Sequence, residues 1–218
     1  QETDVDTAKM HKAAEINAQL GIAYLREGNI EVASRKLEKA LKQNPSSPSV
    51  HSSLGVLNER LKDYQAAEQH YKRSVELADA SPSGGGNIYN NFARFLCAQK
   101  RYPEAEQYFT QSFQDKLYQN KEIAYTNAGS CVQAKGDKDK AASFFREALK
   151  IDKGYAPALY KMAGLYYDQE AYQLAKAYLD RYLAVSRPNP ANIWLAFRIE
   201  KALGNALEVL RYSQMLKN

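Results

Sequence analysis

Residues recur every 34 positions in this chain, and no other feature constrains the fold as tightly. Leu20-Gly21 is followed one period later by Leu54-Gly55, Ala33 by Ala67, and Leu37 by Tyr71. A period of this length holds two short amphipathic helices and the turns between them. Neither helix can bury its apolar face alone, so the units must stack on one another.

The first unit runs from about Ala14 to Ser47 and carries Leu20, Gly21 and Tyr24, then Ala33, Leu37, Ala40 and Pro45. That order and spacing resemble the tetratricopeptide pattern of helix, turn and second helix. Gly28-Asn29 is the turn, and Pro45 stops the second helix. Gly21, Gly55, Ala33 and Ala67 are small because they lie where two helices cross closely. In Asn90 to Phe109, Phe92, Phe95 and Leu96 mark one helix and Ala105, Tyr108 and Phe109 the next. Pro103 fits the first turn of the second of these, which places its start near Tyr102 or Pro103. Ala141 follows Ala105 by 36 positions, so two extra residues fall between about Gln114 and Lys121. The fourth unit has Gly129, the turn Gly136-Asp137, Phe145 and Ala148; the fifth has Met162, Ala163, Ala175 and Leu179. A degenerate sixth begins near Pro190, with Trp194 and the turn Gly204-Asn205.

The expected fold is therefore all-α, a right-handed tetratricopeptide-repeat superhelix of about six helix-turn-helix repeats. Residues 1–218 form one domain, with repeats near 14–47, 48–81, 86–119, 122–155, 156–189 and 190–218 and a tail or helix extension over 1–13. Ser81-Pro82-Ser83-Gly84-Gly85-Gly86 breaks the helical pattern. With no strand before it and no Lys-Ser or Lys-Thr after it, it reads as a flexible connector without a ligand.

Thirty basic against 25 acidic residues give a net charge of +5, but the signs alternate, as at Arg35-Lys36-Leu37-Glu38-Lys39. No arginine-rich or aromatic-interleaved strip points to nucleic acid. No apolar run is long enough to span a bilayer. His11, His51 and His70 lack the spacing of a zinc site, and no nucleophile elbow or Cys-x-x-Cys motif is present, so no cofactor, metal or catalytic residue is assigned. Most of the sixteen tyrosines, crowded at Tyr155, Tyr160, Tyr166, Tyr167, Tyr172, Tyr178 and Tyr182, are expected as wedges between helices. Cys97 and Cys131 are one repeat apart on adjacent first helices. They would be bridged in an oxidising compartment and free in the cytosol, and their spacing leaves both readings open.

By the usual geometry of the repeat, the inner face takes fixed places on each first helix. These give Ile22, Leu25 and Arg26 in the first unit, Val56, Glu59 and Arg60 in the second, and Asn90 and Arg94 in the third. Ile22, Leu25 and Val56 offer apolar surface to a partner side chain. Asn90 is placed to pair with an extended backbone and Arg94 with a carboxylate.

Asn90-Asn91-Phe92, Phe95-Leu96-Cys97, Arg101-Tyr102-Pro103-Glu104-Ala105 and Tyr108-Phe109 resemble the third repeat of the type IV pilus biogenesis lipoproteins, the PilF/PilW family. Gln43-Asn44-Pro45, Asn127-Ala128-Gly129-Ser130-Cys131 and Arg198-Ile199-Glu200-Lys201-Ala202-Leu203-Gly204 agree with it. The resemblance implies a protein lipid-anchored on the periplasmic face of the outer membrane. There it aids assembly of the secretin pore or supports pilus stability, through protein partners and without nucleic acid. It also implies a Cys97–Cys131 bridge. The chain starts at Gln1 without a signal peptide or lipidated cysteine, and is read as a truncated mature sequence. The competing reading is a cytosolic peptide-binding co-chaperone, whose carboxylate clamp is not supplied by Glu15, Ala18, Ser49 and Ser52 at the inner places.

Overall fold

The computed structural model describes residues 2–81 and 84–217. Gln1, Asn218 and, within the expected connector, Pro82 and Ser83 lie outside the described residues. The described residues form twelve helices in two compact units. The first unit, residues 1–119, holds α1 (Glu2–Arg26), α2 (Ile30–Gln43), α3 (Pro48–Arg60), α4 (Tyr64–Asp79), α5 (Gly86–Ala98) and α6 (Tyr102–Gln114). The second, residues 120–218, holds α7 (Lys121–Lys135), α8 (Lys138–Ile151), α9 (Ala156–Asp168), α10 (Tyr172–Val185), α11 (Pro190–Ala202) and α12 (Ala206–Met215). Consecutive helices pair, and the first helices of successive pairs lie side by side: α1, α3 and α5 in one unit, α7, α9 and α11 in the other. The two extra residues sit in the connection over 115–120, which is six residues long where 44–47, 152–155 and 186–189 are four.

What fixes each of the first five pairs is a small residue on the first helix facing a large one sixteen positions later on the second. A Cβ on Gly21 would lie 2.6 Å from Leu37, on Gly55 2.7 Å from the Tyr71 ring, and on Gly129 2.6 Å from Phe145. Ala93 with Phe109 and Ala163 with Leu179 fill the same two places, all four buried. The last pair inverts the order, with Phe197 at the small place and Ser213 at the large one.

Every pair turns through the same corner. A residue just past the first helix, the first after α7 and the second after the other five, has positive φ: Gly28, Gly136 and Gly204 at 80°, 102° and 76°, but also Lys62, Lys100 and Glu170 at 61°, 60° and 60°. Two backbone hydrogen bonds impose it. At the first corner Gly28 N–H donates to Leu25 O (3.2 Å) and Asn29 N–H to Tyr24 O (2.9 Å); at the third, Lys100 N–H donates to Cys97 O (2.9 Å) and Arg101 N–H to Leu96 O (2.9 Å). This pattern closes a helix through a left-handed residue and satisfies its last carbonyls. Asn29, Asp63 and Asp137 then cap the following helix by accepting the N–H of Val32, Ala66 and Lys140.

The glycine cluster departs from its reading as a flexible connector. Gly85 and Gly86 N–H donate to Asp115 Oδ2 at 2.9 and 2.7 Å, and Ser112 Oγ donates to Gly86 O at 2.7 Å. Both glycines are buried, and Gly86 opens α5. The backbone cradle that three glycines make available is filled by a carboxylate of the same unit.

Candidate functional site

Most of the inner-face places come together in the first unit. A pocket of about 530 Å³ is lined by Ile22, Leu25 and Arg26 of α1, Ser53, Val56, Glu59 and Arg60 of α3, and Asn91 and Arg94 of α5. A second of about 370 Å³ shares Ile22, Arg26, Ser53 and Asn91 with it and continues past Glu15, Ser49 and Asn87. The two form one groove across three parallel helices.

One expected groove residue, Asn90, needs correction, and Leu25 lines the pocket as its floor rather than as a reachable side chain. Asn90 is only 4% exposed and Leu25 only 3%. Asn90 occupies the place that Ala18 and Ser52 hold in the earlier repeats, all three buried where neighbouring first helices touch. The groove is lined one position later by Asn91, whose Nδ2 donates to Ser52 Oγ at 3.0 Å. Leu25 forms the floor, packed with Leu37, Leu54 and Leu57. The half-buried Ile22 and Val56 are the aliphatic side chains a partner can reach.

Arg94 already has its carboxylate. Its Nη1 and Nη2 donate to Glu59 Oε1 and Oε2 at 3.3 and 2.5 Å, and the Tyr71 hydroxyl donates to Glu59 Oε2 as well. Burial, with Glu59 beside it, pushes the Tyr71 phenol far above its ordinary range. Burial alone would lower Arg94, but Glu59 and Tyr71 raise it, so the guanidinium stays charged. Glu15 is likewise committed, accepting from Ser47 Oγ at 2.6 Å and from Ser49 Oγ. Arg26 and Arg60 are exposed, and none of the described ion pairs or hydrogen bonds uses their side chains. The groove thus presents two open guanidiniums, each one helical turn beyond Ile22 or Val56 on the same helix.

Among the remaining sequence candidates, Cys97 is half-buried in the last turn of α5 and Cys131 is buried in α7. His51 and His70, nineteen positions apart, meet with their Nδ1 atoms 3.1 Å apart. The Pro45 carbonyl, 3.0 Å from His51 Nε2, can only accept, so neutral His51 carries its proton on Nε2 and His70 donates from Nδ1. Nothing in the local sequence signals this pair, because it depends on how α3 and α4 face each other. The crowded tyrosines pair as wedges: Tyr166 with Tyr178 and Tyr160 with Tyr182, at centroid distances of 5.6 and 5.2 Å.

Three matches to families described as tetratricopeptide repeat cover residues 19–84, 86–154 and 133–196. The chain belongs to the tetratricopeptide-repeat family. The all-α repeat fold read from the 34-residue period is the one observed. This tetratricopeptide-repeat protein is 29% identical over 206 residues to the type IV pilus assembly protein PilF of Pseudomonas aeruginosa, covering 94% of this chain and 80% of that protein. An uncharacterised Haemophilus influenzae protein is 26% identical over 140 residues, covering 64% of this chain and 76% of that protein. The solved structure of Pseudomonas aeruginosa pilF matches with a TM-score of 0.78 at 29% identity, covering 96% of this chain and 92% of that one. The crystal structure of PilW, a widely conserved type IV pilus biogenesis factor, matches with a TM-score of 0.79 at 25% identity, covering 94% of this chain and 92% of that one. The resemblance to PilF and PilW therefore extends over nearly the whole tetratricopeptide-repeat chain. Among the described residues no helix is long and apolar enough to cross a membrane.

Proposed function

We propose that this protein is a type IV pilus biogenesis factor, a non-catalytic scaffold of the cell envelope that aids assembly of the outer-membrane secretin or supports pilus stability. What carries the reading is the match to PilF in sequence along 94% of the chain and in structure along 96% of it. The groove supports it physically. A preformed concave surface binds an extended segment with little ordering cost, Ile22 and Val56 receive an apolar side chain, and Arg26 and Arg60, one turn further along the same helices, attract a neighbouring carboxylate. The lipid anchor on the outer membrane and the Cys97–Cys131 bridge belong to the same proposal. A non-reducing mass measurement of the purified chain, with and without a thiol alkylating reagent, tests the bridge.

The deciding experiment measures heat-resistant secretin multimers in outer-membrane fractions from cells with the intact gene, a deletion, and the double variant Ile22→Glu, Val56→Glu. Both residues are half-buried and line the pocket, whereas Leu25→Glu would charge the floor and confuse binding with folding. Loss of multimers in the deletion and in the folded double variant marks an assembly factor working through the groove. Persistent multimers with fewer surface pili mark a pilus-stability factor. No change in either overturns the pilus reading.

A further inference from the structure

The second unit has a concavity of its own, about 460 Å³, lined by Tyr167 of α9 and by Trp194, Phe197, Arg198, Lys201 and Ala202 of α11. Trp194, the only tryptophan of the chain, is 51% exposed. It stacks on Phe197, one helical turn on, with ring centroids 5.3 Å apart and planes 12° apart. Phe197 stands where the five other pairs have glycine or alanine, so this unit carries an aromatic side chain at a place the repeat does not ask for. The Arg198 guanidinium carbon lies 4.3 Å from the Tyr167 ring centroid. That contact occupies the face of the guanidinium and leaves its in-plane N–H donors for a ligand. The ion pairs described in this unit join Lys150 to Glu147, Lys176 to Asp180 and Glu200, and Arg211 to Glu208; none uses Arg198 or Lys201. Glu200, between them in sequence, is 3% exposed and committed to Lys176 and Asn205.

We propose that this pocket is a second docking site, for an acidic segment of a partner protein that lays an aromatic or aliphatic side chain on Trp194 and Phe197 and sets a neighbouring carboxylate on Arg198 and Lys201. Charge complementarity selects the occupant: the lining holds two cations and no acid. Aromatic and arginine side chains in a concave site are the usual anchors of protein recognition. A bilayer would press on a flat or convex surface rather than enter a pocket. A single strand of nucleic acid brings a phosphate at every nucleotide, and two cations make a short track for it. The site goes beyond the groove of the first unit and does not rest on it.

Trp194 supplies its own reporter. Its emission in the full chain is titrated with a short synthetic peptide alternating glutamate and phenylalanine, and with the same peptide carrying glutamine for glutamate. The acidic peptide is expected to give a saturable change and to bind about tenfold or more tightly than the glutamine version, the scale of a lost charge-assisted contact. Arg198→Gln with Lys201→Gln, both at exposed positions, should erase that difference while the far-ultraviolet circular dichroism is unchanged. Ile22→Glu should leave the titration as it is. Equal affinity for the two peptides, or no saturable response, overturns the proposal. So does an emission shift given by phosphatidylglycerol vesicles and not by peptide, which would assign the pocket to a lipid surface. A response abolished by Ile22→Glu would place the peptide in the groove instead and also overturn it.

Discussion

In the first unit Glu59 of α3 is shared by Arg94 of α5 and the Tyr71 hydroxyl of α4, on the wall of the concave surface. In the second, Glu200 of α11 is held by Lys176 of α10 and by Asn205 in the turn that follows, and it does not line the pocket there. The repeat dictates small and large packing residues and the corner between helices, and both units obey it except at the last pair, where Phe197 and Ser213 invert the packing order. It does not dictate charge. Each unit neutralises one partly or fully buried carboxylate in its own way and leaves two different cations open, Arg26 and Arg60 in one, Arg198 and Lys201 in the other. Stability is common to the two regions, and what they can recognise is particular to each.

Removing the cation tests how differently the two carboxylates are buried. Lys176→Met leaves Glu200 enclosed with Asn205 alone and should cost about 3 kcal/mol, the lower end for breaking a buried pair. Arg94→Met leaves Glu59 more exposed to water and still bonded to Tyr71, and should cost about half as much. Thermal or urea unfolding followed by circular dichroism measures both, and equal losses would erase the contrast.

Next in size is Gly55→Ala, which drives a methyl to 2.7 Å from the Tyr71 ring. The ring is fully buried, so about 2 kcal/mol of overpacking is expected. Since Tyr71 also holds Glu59, this variant should disturb the groove, whereas Gly129→Ala in the second unit, at 2.6 Å from Phe145, should destabilise equally and leave groove binding intact. Partner or peptide binding measured alongside unfolding separates the two effects.

All three histidines lie in the first unit. Burial lowers both His51 and His70 from the ordinary value of 6.5, with the Pro45 hydrogen bond opposing it at His51, so both are neutral in the fold. The unfolded chain takes up protons at the ordinary value and the folded chain only below it. Stability is therefore full above about pH 6.5 and is lost as pH falls through that value towards the lower folded ones. Melting curves between neutral and mildly acid pH should show this loss, and His70→Gln should flatten it. An unchanged slope in that variant would show that the pair does not carry the dependence.

The smallest effects are expected at the corners, and they have opposite signs. Gly136→Ala places a Cβ in open space but at φ of 102°, and should cost about 1 kcal/mol. Lys100→Gly relieves a left-handed lysine and should gain up to about 1 kcal/mol, less the glycine's greater freedom when unfolded. Chemical unfolding of the two variants side by side checks the pair of signs.

The helices and their pairing were legible because a 34-residue period of small and large residues leaves a stacked repeat as the consistent solution. Three corners were marked by Gly28, Gly136 and Gly204; those at Lys62, Lys100 and Glu170 were invisible, since backbone hydrogen bonds set them and no residue type reports that. The inner places Ile22, Leu25, Arg26, Val56, Glu59, Arg60 and Arg94 meet at one pocket, with Leu25 as its floor, but Asn90 turned into the wall between first helices. A helical place only a fraction of a turn off the groove axis is covered by the neighbouring first helix. That Arg94 and Glu59 satisfy each other, 35 residues apart, is a matter of packing between repeats. Trp194 read as part of a worn final repeat, and only the contact of Arg198 with Tyr167 shows it as one wall of a pocket.

The six equivalent corners have a consequence for how such a chain evolves. Because the carbonyls of the preceding helix, rather than a missing side chain, hold the left-handed residue in place, glycine there is an option and not a requirement. A mutational drift from glycine to lysine or glutamate at a corner exchanges a modest conformational cost for a solvated charge at the most outward point of the pair. Lys62, Lys100 and Glu170 are all exposed. The corners thus become positions where surface charge, and with it solubility, can be tuned one repeat at a time without disturbing either concave surface.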